Sequence, residues 1–104
     1  MQKLFVGVIF FLGLALSGAF SECDKRGFHG PTQGSKRNVF VYYRNDGNGI
    51  VTYLLENRNS FPADVDFAVG DLRDGRFIER GSCAEVTLNP QSVLRIYRVR
   101  NVLR

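Results

Sequence analysis

Ala63-Asp64-Val65-Asp66-Phe67-Ala68-Val69 decides the fold. Ala63, Val65, Phe67 and Val69 recur at every second position, with Asp64 and Asp66 between them. Successive side chains of a strand point to opposite faces, so this period of two predicts a half-buried strand with one dry and one wet side. The same period extends in both directions. Upstream, Val39-Phe40-Val41-Tyr42-Tyr43 is a β-branched and aromatic run that meets Asn45-Asp46-Gly47-Asn48-Gly49. Asp-Gly and Asn-Gly are strong hairpin signals, and residues 50–55 supply the returning strand. Residues 57–62 end it, because Pro62 has no N–H to give to a ladder. Downstream, Gly70-Asp71 and Asp74-Gly75 read as punctuation, with a short strand over residues 76–80. Ala84, Val86 and Leu88 alternate with Glu85 and Thr87, and residues 93–102 form the last and longest strand. No window sustains a 3.6-residue period. The expectation is an all-β fold, a small antiparallel β-sandwich of six to seven strands.

The stretch Asn59-Ser60-Phe61-Pro62-Ala63-Asp64-Val65-Asp66-Phe67, followed by Leu88-Asn89-Pro90-Gln91-Ser92, resembles immunoglobulin-like sandwich modules. A strand introduced by Pro and a Leu-x-Pro-x-Ser turn before the final strands carry that resemblance. It implies an immunoglobulin-like sandwich, without the buried Trp and inter-sheet Cys pair of antibody domains.

Residues 1–21 read as a secretory signal peptide. Lys3 forms a short basic region, Leu4 to Leu16 an apolar one, and Ala19-Phe20-Ser21 sets small residues at the −3 and −1 positions before Glu22. Cleavage before Phe20 is the second choice. An uncleaved anchor is a shorter fit to a bilayer, and Glu22 argues against lipidation of Cys23. No later apolar run reaches membrane length, so the mature chain is expected to have no transmembrane segment. Residues 22–38 form a polar, Gly-rich N-terminal arm, and residues 39–104 the β-sandwich domain. Loss of Lys3 with the signal takes the formal charge from +4 to +3. The two cysteines, Cys23 and Cys83, both lie in the mature chain and are expected to form one disulfide in an oxidising compartment. By the chain-entropy argument, a bond closing so long a loop is worth about 4 kcal/mol. The protein is therefore expected to be secreted, either extracellular or periplasmic.

Little in the sequence points to catalysis or metals. His29 is the lone His, set between glycines in Gly27-Phe28-His29-Gly30 where nothing predicts the rigid placement a general base needs. Asp64, Asp66, Asp71 and Asp74 raise calcium, but no acid closes an EF-hand loop. Neither a metal nor another cofactor is expected. A small carboxylate-dependent hydrolase such as a nuclease is an alternative built on Glu56, Arg58 and Glu79, although no His follows Glu79 to act as acid. A structural or adhesive subunit is a further alternative.

Charge is most uneven at the C-terminus, where Arg95, Arg98, Arg100 and Arg104 stand with no nearby acid. In a regular strand, Leu94, Ile96, Arg98 and Arg100 would share one side and Arg95, Tyr97, Val99 and Asn101 the other. Apolar-polar alternation therefore fails near Arg98; either a bulge restores it or the strand passes from core to edge. The arginines then either guard an edge strand against aggregation or, with Tyr97, form a cationic binding stripe. The stripe reading gives a non-enzymatic binding module acting as an accessory factor, inhibitor or effector. Its partner is a protein or an anionic surface (polysaccharide or lipid headgroup). Nucleic acid ranks last for an exported chain with so small a charge.

Overall fold

The computed structural model describes residues 23–90 and 92–102; the predicted signal peptide, residues 1–21, and Arg104 lie outside the described residues. Six strands run in order: β1 (Val39–Gly47), β2 (Ile50–Asn57), β3 (Ala63–Val69), β4 (Leu72–Ile78), β5 (Cys83–Leu88) and β6 (Leu94–Asn101). They form two antiparallel sheets of three strands, β1-β2-β5 and β4-β3-β6. Among the described residues there is no helix, and so none long and apolar enough to cross a membrane.

The alternation in β3 has its expected consequence: Ala63, Val65, Phe67 and Val69 are all buried. They face Val39, Val41, Tyr53, Leu55 and Val86 of the other sheet, with Ile78, Leu94 and Ile96 completing the core. The β1–β2 hairpin closes where Gly47 pairs with Ile50. Asn48 (φ 56°) and Gly49 (φ 76°) both take the left-handed conformation that a two-residue turn of this hand demands.

One strand begins earlier than the sequence suggests. β4 starts at Leu72 rather than Arg76, and Asp74-Gly75 lies within it. The turn is Gly70-Asp71, between the paired Val69 and Leu72, with Gly70 at φ 60°. Every β4 residue except Ile78 is exposed, so packing imposed no apolar period for the sequence to display.

The polar arm is part of the body. Its first residues cross the outer side of β1-β2-β5: Cys23 is bonded to Cys83 with Cα atoms 5.4 Å apart. Lys25 Nζ reaches Glu56 Oε2 at 3.1 Å, and Arg44 stacks over Phe28 at 4.7 Å. His29 then exchanges backbone hydrogen bonds with Tyr43 along the free edge of β1, and Thr32 N–H donates to Val41 O. Finally Gly34 O accepts from Ile96 N–H at 2.9 Å, joining the edge of β1 to that of β6. Cover from the arm explains why β2 is buried on both sides from Thr52 to Asn57.

At one end of the sandwich, the fully buried Asn57 holds two loops together. Its Nδ2 donates to Phe61 O and Ile78 O, each at 3.0 Å, and its Oδ1 accepts from Asn59 N–H at 2.9 Å. Its backbone bonds Ser82 O and Gly81 N–H. A buried amide is tolerated here because its polar atoms find partners.

Candidate functional site

β6 carries one extra residue. Ile96 pairs with Phe67 and Arg98 with Asp66, leaving Tyr97 inserted between two successive β3 partners. The bulge restores alternation: Leu94 and Ile96 are buried before it and Val99 is half-buried after it. Because Tyr97 itself is exposed, Arg95, Tyr97, Arg98 and Arg100 all come to the outer side of β4-β3-β6. An unbulged strand would have divided them between two faces.

β3 lies beside them with its wet side outward. Arg98 Nε donates to Asp66 Oδ2 at 3.2 Å, and Arg100 Nη2 to Asp64 Oδ2 at 3.0 Å. Both pairs are well exposed, with arginine side chains about two-thirds accessible. Such pairs are worth at most about 1 kcal/mol, so the guanidiniums can exchange these partners for others at small cost.

β4 adds residues that sequence reasoning left out. Register places Arg73 opposite Ala68, Gly75 opposite Asp66, and Phe77 opposite Asp64, all on this outer side. Arg73 reaches across β3 to stack on the Tyr97 ring, 3.9 Å from its centroid. Tyr97 and Phe77 are 53% and 54% exposed, large values for aromatic rings. A shallow depression of about 320 Å³ lies near Asp66, bordered by Arg73, Asp74, Tyr97 and Arg98. The face thus combines four guanidiniums, two carboxylates and two accessible rings. Reading Gly70-Asp71 as a two-residue hairpin turn was the signal that would have found Arg73 and Phe77.

Other candidates are dispersed. His29 is exposed on the β1 edge, tilted against Tyr43 with ring centroids 5.2 Å apart. Glu56 is buried and accepts from Lys25, Tyr42 Oη at 3.2 Å and Arg58 Nε at 3.1 Å. Burial alone would push its carboxyl up, but Lys25 and Arg58 outweigh that and hold it below the usual carboxylate range. Glu79 is an exposed residue of the β4–β5 turn. Asp64 and Asp66 are engaged by arginines, and Asp74 Oδ1 accepts from Gly75 N–H. Among the described residues, no three His, Cys, Asp or Glu side chains gather as metal ligands. No family model matches the chain, and neither a curated protein nor a solved structure does.

Proposed function

We propose that this chain is a secreted, non-enzymatic binding module that recognises a protein or anionic surface partner through the outer face of β4-β3-β6. The observation that carries this reading is the bulge at Tyr97, which gathers Arg95, Tyr97, Arg98 and Arg100 on one side. Guanidiniums beside accessible rings suit carboxylate- or sulfate-bearing partners, because each Arg offers a planar fork and each ring a large, stiff contact. The Cys23–Cys83 bond fits an oxidising compartment and supports export. Strand order supports an immunoglobulin-like sandwich: β1 to β6 correspond to strands A, B, C, C′, E and F, which would lie as A-B-E and C′-C-F.

The test compares the native protein with an Arg95→Gln/Arg98→Gln/Arg100→Gln variant for retention on dextran sulfate and for macromolecules held from the native secreted fraction. The expected result is retention that weakens in the variant and loses much of its salt dependence. An unchanged retention profile removes the proposal.

A further inference from the structure

A groove lies at the end of the sandwich opposite Asn57, where the core face of β1-β2-β5 outruns its cover. Val39, Val41 and Tyr43 share the inward side of β1, yet Val39 and Val41 are fully buried while Tyr43 is 40% exposed. Across the ladder, Tyr43 pairs with Tyr53, which is itself buried in the core, and the half-buried Val51 follows on the same side of β2. Tyr43, Val51 and the edge of Tyr53 meet a groove of about 560 Å³, closed by Thr32, Gln33 and Gly34 of the arm on one side and by Val93 and Arg95 on the other. That volume is in the range of small-molecule sites, roughly 300–1,000 Å³.

The lining is chemically uneven. Tyr43, Tyr53, Val51 and Val93 make an apolar bed, and Arg95 is the one charged residue. Among the described residues Arg95 has no ion pair, unlike Arg98 and Arg100 two strand positions and more beyond it. A guanidinium at the rim of an apolar groove matches a carboxylate carried on an apolar body: the fork takes the oxygens while the rings and valines take the hydrocarbon. Val93 is itself 54% exposed, so an apolar occupant would cover surface now open to water.

We propose that this groove binds an apolar organic acid, with Arg95 holding the carboxylate and Tyr43, Val51, Tyr53 and Val93 the body. The site is independent of whether the outer face binds a macromolecule. Arg95 stands at the junction of the two, whereas Tyr43 belongs to the groove alone and Arg98 and Arg100 to the face.

Calorimetric titration and ligand-observed NMR on the disulfide-intact protein test it, using phenylacetate, indole-3-acetate and octanoate, each beside its primary amide. Saturable one-to-one binding of at least one acid is expected, with its amide weaker by roughly tenfold or more. Arg95→Gln should weaken the acid by a similar factor, and Tyr43→Ala should weaken acid and amide alike. Arg98→Gln/Arg100→Gln should leave both unchanged, which keeps this outcome separate from the fate of the outer face. A Gly-Phe peptide with a free C-terminus, set beside its amidated form, tells a chain terminus from a free acid as the source of the carboxylate. Absence of saturation by every acid and by the peptide up to millimolar concentration, equal affinity for acids and amides, or wild-type affinity in Arg95→Gln overturns the proposal.

Discussion

Arg73 on β4 lies over the ring of Tyr97 on β6, 3.9 Å from its centroid, with β3 running between them. The stack is possible because Tyr97 is the extra residue of its strand and so joins the side that Arg73 occupies. It ties the two outer strands together above the small side chain of Ala68.

Deleting Tyr97 should therefore be tolerated. Ile96 would be followed directly by Arg98, Val99 would still point inward, and both Arg–Asp pairs would survive. The loss should stay within about 2 kcal/mol, most of it from the aromatic stack and its cover. Deleting Arg95 instead would reverse Leu94 relative to Ile96 and cost several kcal/mol by exposing core residues, on the order of 1.5–3 kcal/mol per side chain. Urea unfolding of the two deletion variants distinguishes these outcomes; equal destabilisation would contradict the bulge.

Asn57→Ala should destabilise by roughly 2–4 kcal/mol, because Phe61 O and Ile78 O lose their side-chain donor in a buried setting. Asn57→Asp should fare no better, since it supplies no amide donor and would bury a charge. Equilibrium denaturation measures both.

Gly34→Ala tests how closely the arm lies against β6. A methyl at position 34 would collide with the carbonyl of Leu94 and with the Arg95 backbone, which cannot yield as a side-chain tip can. The arm should lift, breaking the bond from Ile96 N–H to Gly34 O, at a cost of about 1–3 kcal/mol. Faster amide hydrogen exchange at Ile96 is the specific readout.

Acid should weaken the fold through Glu56. Its folded carboxyl is held below the ordinary 4.5, so the unfolded chain binds the proton more readily. The resulting stabilisation is fully present above 4.5 and is lost as the pH falls from there through the folded value. Glu56→Gln should lower the melting temperature at neutral pH and flatten its decline in acid. A variant whose acid limb has the wild-type slope would contradict this assignment.

Much of this architecture was legible in the chain because packing wrote it there. β3 is covered on one side only, so its alternation is complete, and Asn48-Gly49 names its turn through backbone conformation alone. The failed alternation at Arg98 was compatible with a bulge or with a strand passing from core to edge, and did not show that an inserted residue would unite the four β6 residues on one face. β4 and the arm were harder to read for a physical reason. β4 is exposed on nearly its whole length and needs no hydrophobic period. The arm is held by scattered backbone bonds, a disulfide and a few cation–ring contacts, none of which requires a repeating sequence.

The arm also dictates an order of events. Gly34 emerges from the ribosome long before Ile96, and Cys23 before Cys83, yet each waits for the other to complete its link. The arm can pair with β1 as soon as that strand is made, but its links to β5 and β6 are among the last that can close. Premature chain termination before β6 would leave the bond from Ile96 N–H to Gly34 O unmade and the core without Leu94 and Ile96, so the two sheets would lack this clasp.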